Sequence, residues 1–213
     1  MNAKKTDLKE LEGWYAKSGN QLMLLYGGMD CRKEQLIKEF CVGKKHFYYR
    51  CRQLSAQEQM QKMGEEIQNA FQMKLSRYSY DEFFNRVKSG DASKLVIVID
   101  EAQYAIKRDP EFVKSILKLK MKRLYPGPVM IILASSSIVW ATQDAKDAFG
   151  DGFRRIDVLH KVEDLNFWKL SGHFRHFRLA TVSVFMDRSA GCRDIWKPGI
   201  RKFHTGRIFT GLC

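Results

Sequence analysis

The sequence predicts an α/β fold of three layers, in which helices cover both faces of a mainly parallel sheet. Short apolar runs of strand length recur along the chain, and between them the apolar residues recur at helical spacing. Strands that alternate with helices form parallel sheets buried on both faces. A length of 213 residues fits one α/β domain with a full core, and no internal repeat is visible.

The first half of the chain supplies four predicted helices and two predicted strands. Leu8, Leu11 and Trp14 recur at helical spacing until the polar turn that begins at Ser18. Ser55, with Glu58 three residues later, is typical of a helix start. The sequence predicts helices over residues 6–17, 33–42, 55–71 and 79–88, and strands over residues 21–26 and 46–51.

The second half continues this alternation as far as about residue 134. Residues 95–99 are an aliphatic, β-branched run that ends in two acids, and residues 129–134 are a second buried run that ends in three serines. Between them, Pro110 favours a helix start, and helical spacing extends over residues 110–124.

Composition indicates a folded protein of basic charge. The chain has 213 residues, 45% of them hydrophobic, which is typical of a globular domain. It has no apolar run of about 18 residues and no secretory signal, so we expect a cytoplasmic location and no membrane partner. The five cysteines include no C-x-x-C pair and indicate reduced thiols. The net charge of +13 raises the possibility of nucleic-acid binding.

A glycine-led loop between the first buried strand and the following helix resembles a phosphate loop. The pattern G-x-x-x-x-G-K-[ST] aligns with Gly27–Glu34, so Gly27 and Lys33 match. Backbone amides at a helix N-terminus cradle phosphates, the lysine adds a point charge, and the hydroxyl binds Mg²⁺. Arg32 replaces the second glycine and Glu34 the hydroxyl residue. The alternative is a simple turn followed by solvated helix residues.

An acidic pair at the end of residues 95–99 strengthens the phosphate-loop interpretation. Asp100 and Glu101 end a buried strand at its carboxyl end, where α/β sheets bind ligands. In a P-loop ATPase the first acid holds Mg²⁺ and the second polarises the attacking water, which makes Glu101 the catalytic candidate. A third predicted strand, over residues 129–134, is followed by Ser135, and in such ATPases a polar residue there contacts the γ-phosphate. Alternatively, the serines cap the next helix.

These motifs together resemble the archaeal-type ATPase family, a prokaryotic branch of the ASCE P-loop ATPases. The resemblance covers about residues 7–168, and its most specific part is the stretch that contains Asp100 and Glu101. It implies strand order 5-1-4-3-2, ATP with Mg²⁺, Asp100 on the metal and Glu101 as base. Arg154 and Arg155 fall where the family carries an arginine. The predicted nucleotide-binding residues are Gly27, Gly28, Asp30, Cys31, Arg32, Lys33, Glu34 and Ser135.

The sequence changes character near residue 173. We therefore predict an ATPase-like domain over residues 1–172 and an atypical basic tail over residues 173–213, which holds eight Lys and Arg against two Asp. Read two bases out of frame, the codons for Met186 and the following Asp must encode Gly, and those for Trp196 and the following Lys must encode Glu. Such a reading can restore a tyrosine–glycine motif of the family. We hypothesise that a frameshift produced the tail, and that a winged-helix region is missing.

Three functions are compatible with these residues. The first is an ATP-binding domain that hydrolyses ATP slowly and serves as a nucleotide switch. The second is a pseudo-ATPase that keeps the fold as a protein-interaction scaffold, which the replacements Arg32 and Glu34 favour. The third is a nucleic-acid-binding module that uses the basic run over residues 114–123, although this run also has the spacing of an amphipathic helix.

Overall fold

The computed structural model describes residues 3–28, 32–87, 93–122 and 127–162. The predicted basic tail lies outside these residues, so the domain boundary at residue 172 stays a prediction. The strands are β1 (Gln21–Tyr26), β2 (His46–Arg50), β3 (Leu95–Asp100), β4 (Val129–Ser135) and β5 (Val158–Lys161). The α-helices are α1 (Ala3–Ala16), α2 (Arg32–Cys41), α3 (Ala56–Phe71), α4 (Tyr80–Arg86), α5 (Gln103–Ile106), α6 (Pro110–Met121) and α7 (Ala145–Phe149).

The five strands form one sheet in the order β2-β3-β4-β1-β5, and each neighbouring pair is parallel. Counted from the other edge, this is the order 5-1-4-3-2 that the family resemblance implied, so the predicted fold class is confirmed. β5 is the strand that sequence periodicity did not locate. β5 has only four residues, VLHK, and lies at the sheet edge, where Leu159 is 41% exposed. The sequence therefore contains no continuous apolar run at this position.

Alternate residues of the central strands pack on opposite faces of the sheet, as a pleated strand requires. On one face, Leu24, Ile97 and Leu133 belong to a cluster with residues of α3, α4 and α6. On the other face, Val98 and Ile132 belong to a cluster with residues of α1 and α2. The sheet is therefore the middle of three layers, and its strands are apolar throughout because both faces are buried.

Local signals in the sequence account for several helix ends. The Ser55 hydroxyl accepts a hydrogen bond from the Glu58 amide, and the Glu58 side chain accepts one from the Ser55 amide, so the expected capping box is present. Asp109 caps α6, and Pro110 occupies its first turn. The helix ends at Met121 and not at residue 124, because the backbone of Lys122 is extended.

Between β4 and β5 the chain forms helical turns that periodicity did not predict. A π-helical turn covers Trp140–Asp144, α7 follows directly, and a 3-10 turn covers Gly150–Arg155. Arg154 and Arg155 lie in this 3-10 turn and are exposed. Within the described ranges, no helix has both the length and the apolar character needed to cross a bilayer.

Candidate nucleotide site

The strand order brings the predicted site residues to one edge of the sheet. β3, β4 and β1 are neighbours, so their carboxyl ends lie side by side. Residue pairing places Tyr26 opposite Ser135, and the Gly27 amide donates to the Ser135 carbonyl at 3.3 Å. The Ala102 amide donates to the Ala134 carbonyl at 2.9 Å. The turn after β3 and the loop after β1 are therefore both anchored to the end of β4.

Gly27 is required by close packing at the start of the loop. A Cβ atom on this residue would lie 2.8 Å from the carbonyl oxygen of Val162, closer than real Cβ contacts allow. The Val162 amide in turn donates to the Tyr26 carbonyl at 2.7 Å. The first glycine of the motif thus lets the end of β5 lie directly against the phosphate loop.

Lys33 lies at the start of α2 with its ammonium group turned back over the loop. Its Nζ donates to the Gly28 carbonyl at 2.6 Å and to the Gly27 carbonyl at 3.3 Å, and the residue is only 5% exposed. An anion at this helix N-terminus would meet both the ammonium charge and the positive end of the helix dipole. Of the other predicted loop residues, Asp30 and Cys31 lie outside the described residues, and Arg32 is described only as the first residue of α2.

Glu34, in the place of the motif's hydroxyl residue, makes ion pairs with two basic residues. Its Oε1 lies 2.7 Å from Lys38 Nζ, one helical turn along α2. Its Oε2 lies 3.9 Å from an Arg50 guanidinium nitrogen at the end of β2. The carboxylate is therefore balanced by positive charge from its own helix and from a neighbouring strand.

Asp100 ends β3 as a buried carboxyl group, 5% exposed, with both oxygens engaged. Oδ1 accepts a hydrogen bond from the Glu101 amide at 3.0 Å, and Oδ2 accepts one from the Tyr48 hydroxyl at 2.7 Å. The Arg50 Nε lies 3.6 Å from Oδ2. Burial raises the pKa of Asp100, and the Tyr48 hydrogen bond and the Arg50 charge oppose that rise.

Glu101 is held in an unusual backbone conformation that directs its carboxylate toward β4. Its φ is +52°, a left-handed value that costs a residue with a side chain about 1–3 kcal/mol. Oε2 accepts hydrogen bonds from Gln103 Nε2 and from Ser136 Oγ, both at 2.6 Å. The strained backbone and the two hydrogen bonds together fix the orientation of the buried Glu101 carboxylate.

The three serines after β4 have separate contacts. Ser135 reaches the predicted edge of the sheet, but it is fully buried and its hydroxyl accepts from the Ser137 amide at 3.1 Å. Ser136 contacts Glu101. The Ser137 hydroxyl accepts from the Trp140 amide at 3.2 Å, so the capping role left open by the sequence falls to Ser137.

Tyr48, Arg50, Gln103 and Ser136 complete the site but were not singled out from the sequence. Tyr48 and Arg50 belong to β2, which pairs with β3 so that Arg50 lies opposite Asp100. The sequence does contain a signal for Tyr48 and Arg50, because polar residues at the end of a strand that neighbours β3 share its carboxyl edge. It could be used only once the neighbour of β3 was known.

The four described lysines of the basic run that suggested nucleic-acid binding make structural contacts. Lys114 pairs with Glu111 on α6 at 2.6 Å, and Lys118 pairs with Asp81 of α4 at 2.7 Å. Lys120 contacts Asp157, and Lys122 donates to the Asn85 side chain at 2.6 Å. The opposite face of α6 is buried in the core. This helix is amphipathic, and its charges connect it to neighbouring elements.

A parallel sheet in this order, with a glycine–lysine loop after β1 and two acids after β3, defines the class of P-loop ATPase domains. The family described as the ATPase domain predominantly from Archaea matches residues 4–172. The chain belongs to this family, which confirms the resemblance noted in the sequence. No curated protein matches the chain.

Solved structures share the fold at low sequence identity. The ORC2 protein of Aeropyrum pernix, solved as ADPNP-ADP complexes, matches with a TM-score of 0.61 and 11% identity over 85% of this chain and 52% of that one. The A. pernix ORC1 protein in complex with DNA gives 0.54 and 15%, over 85% and 49%. The Walker-type ATPase of Pyrococcus abyssi gives 0.53 and 16%, over 87% and 62%. The chain thus spans about half to three-fifths of these proteins, and the likeness establishes the fold alone.

Proposed function

We propose that this P-loop domain binds ATP with Mg²⁺ at the carboxyl edge of its sheet, hydrolyses it slowly, and acts as a nucleotide switch in the cytoplasm. The observation that carries the proposal is the placement of a buried lysine and an oriented acidic pair on one edge. Lys33 lies on the loop after β1, and Glu101 is held by Gln103 and Ser136. These groups are what phosphoryl transfer to water requires.

The role proposed for each residue follows from its position at the carboxyl edge of the sheet. The amides of the loop from Gly27 to Arg32 would surround the phosphates, with Asp30 and Cys31 contributing backbone. Lys33 would leave the loop carbonyls for the β- and γ-phosphates. Glu101 would orient the attacking water and accept its proton, and the Ser135 hydroxyl, which accepts a hydrogen bond from the Ser137 amide, would hold the turn after β4. Switching would come from a bound γ-phosphate changing the contacts of that turn.

The residues present suit Mg²⁺ by their chemistry. Asp100 and Glu34 offer carboxylate oxygens, which are hard donors of the kind that Mg²⁺ prefers. The Arg50 guanidinium lies within 4 Å of an oxygen of each carboxylate, which supports the proposal that positive charge is favourable at this position. Bound Mg²⁺ would neutralise charge on the transferred phosphoryl group. Glu34 in the hydroxyl's place adds negative charge beside the phosphates, and for this reason we propose slow turnover.

Calorimetric titration of the full chain with Mg·ATP tests the proposal. We expect micromolar binding that Lys33→Met abolishes, because methionine keeps an unbranched side chain in the buried position but removes the charge. Lys114→Met is the matched control: it removes an equal charge from an exposed ion pair on α6 and should leave binding unchanged. Thermal unfolding of each variant confirms that it is folded.

A pseudo-ATPase scaffold is the second candidate, and the contacts of Glu34 and Asp100 favour it. Both oxygens of Asp100 are already engaged, and Glu34 stands where a hydroxyl is expected. A well-folded chain that binds no nucleotide, with or without Mg²⁺, would establish this function and direct the search to protein partners. Nucleic-acid binding through residues 114–123 has less support, because Lys114, Lys118 and Lys120 pair with acids of the domain itself.

A further inference from the structure

Arg50 occupies a position that neither the family motifs nor the sequence pattern assigns. It is the last residue of β2, and strand pairing sets it opposite Asp100. Its side chain therefore emerges at the same edge as the acidic pair. More than half of the Arg50 side chain is exposed, whereas that of Asp100 is buried. The exposed guanidinium can move away without opening the core.

Two carboxylates from different elements converge on this guanidinium. Asp100 Oδ2 on β3 lies 3.6 Å from its Nε, and Glu34 Oε2 on α2 lies 3.9 Å from a terminal nitrogen. These carboxylates stand at the two positions that flank the divalent cation in the proposed site, the acid after β3 and the residue after the loop lysine. Without a cation between them, their negative charges would repel one another.

We propose that Arg50 is an internal counter-ion at the metal position and that a divalent cation binds by displacing it from Asp100 and Glu34. This inference rests on the proposed function, and it adds a residue that sets the metal concentration at which the site fills. Glu34 and Arg50 then act together. In the absence of metal, the arginine balances the negative charge that Glu34 introduces in place of the motif's hydroxyl residue.

Exposure and hydrogen bonding indicate that the exchange has a low energetic cost. Displacement leaves the exposed guanidinium in water, and the cation then balances the charge of the buried Asp100 carboxylate in its place. Tyr48 donates to the same Asp100 oxygen at 2.7 Å and can stay in place while Arg50 moves. Arg50 also lines a cavity of about 430 Å³ between β2 and α3, which offers it space away from the carboxylates.

The test is direct binding of Mn²⁺ to the nucleotide-free full chain, measured by the paramagnetic resonance signal of free Mn²⁺. We expect Arg50→Gln to bind Mn²⁺ about fivefold more tightly than wild type, the effect of one ion pair at a solvent-facing site. Arg50→Lys, which keeps the charge, should stay near the wild-type affinity. The double variant with Glu34→Gln should lose the gain, because the second carboxylate is gone.

Arg52→Gln is the matched control, because it removes an equal charge from the wall of the same cavity, two residues along the chain. It should leave Mn²⁺ affinity within about twofold of wild type. An equal gain in Arg50→Gln and Arg52→Gln would overturn the proposal in favour of a general charge effect. No gain in either variant would overturn it as well. Because ATP is absent, a failure of nucleotide binding in the calorimetric test is a separate result.

Discussion

The two halves of the candidate site differ in how closely they follow the chemistry of a P-loop ATPase. The half after β3 has an acid at the strand end and a second acid, Glu101, that receives two hydrogen bonds at 2.6 Å. The half after β1 has the leading glycine and the buried Lys33, but Glu34 replaces the hydroxyl residue. The proposed phosphate and water groups are therefore present except for the second glycine, which Arg32 replaces, and the other departure is Glu34 at the proposed metal position.

This difference indicates that metal binding can be changed independently of phosphate recognition and water activation. Phosphate recognition depends on backbone amides and one lysine, and water activation depends on one oriented carboxylate. Metal binding depends on a few oxygen donors whose charge must be balanced. In this chain the added negative charge of Glu34 is met by Lys38 and Arg50. Four substitutions test whether the two halves differ in this way.

The largest effect is expected from Glu101→Gln, on the intact half. We expect ATP turnover to fall about 10²-fold or more, because glutamine cannot accept a proton from the attacking water. Binding of Mg·ATP should be retained. Steady-state phosphate release and calorimetry measure the two quantities, with Glu111→Gln as the exposed control on α6. Unchanged turnover would show that Glu101 is not the base and that the intact half is only structural.

Gly27→Ala tests the packing of the phosphate loop. The added methyl group would meet the Val162 carbonyl, so we expect a loss of about 1–3 kcal/mol in the free energy of unfolding, together with weaker nucleotide binding. Gly13→Ala is the control on α1, where a Cβ has nothing within 4 Å. There we expect a gain of about 0.5–1 kcal/mol, because alanine is the better helix former. Urea unfolding distinguishes the two, and equal stability of both variants would contradict the close approach.

Glu34→Thr restores a hydroxyl to the altered half. Removing one carboxylate from beside the phosphates should tighten Mg·ATP binding by roughly three- to tenfold in a solvent-facing site. Glu111→Thr makes the same change in the first turn of α6, far from the loop in sequence, and should have no effect on binding. Weaker binding by Glu34→Thr would mean that the carboxylate gains more by attracting the metal than it loses by repelling the phosphates.

The smallest effect is expected away from the strand ends, at the ion pair between α4 and α6. Hydrogen bonds from Lys118 and Ser115 lower the pKa of Asp81. An acid whose pKa is lower in the folded state contributes stability above its unfolded pKa, and this contribution is lost as pH falls through the folded value. Asp81→Asn should therefore be slightly less stable than wild type at neutral pH.

In acid, the stability difference between wild type and Asp81→Asn should vanish, since wild-type Asp81 is then protonated. Urea midpoints at the two pH values check this expectation. Nucleotide binding by Asp81→Asn at neutral pH should equal that of wild type. This result would indicate that only the charged residues at the sheet edge contribute to binding. A binding defect in Asp81→Asn would instead connect the lysine face of α6 to the site.

Much of the architecture could be predicted because it depends on contacts within one element or on short motifs. The strand at residues 21–26 has the bounds that its apolar run predicts, and the Ser55 cap follows from its neighbour three residues on. The position of Asp100 and Glu101 at a strand end follows from the aliphatic run before them. The family resemblance supplied the strand order, which periodicity does not contain. The roles of the predicted site residues stay predictions.

The parallel α/β class, the lysine loop and the acidic pair at a strand end could all be predicted from the sequence, because hydrophobic periodicity and short motifs are local properties of the chain. The contact of Ser136 with Glu101, and those of Arg50 with Asp100 and Glu34, became visible only in the folded structure. Those contacts join residues from separate strands and helices. They depend on strand pairing and side-chain packing across the sheet, which no local pattern in the sequence encodes.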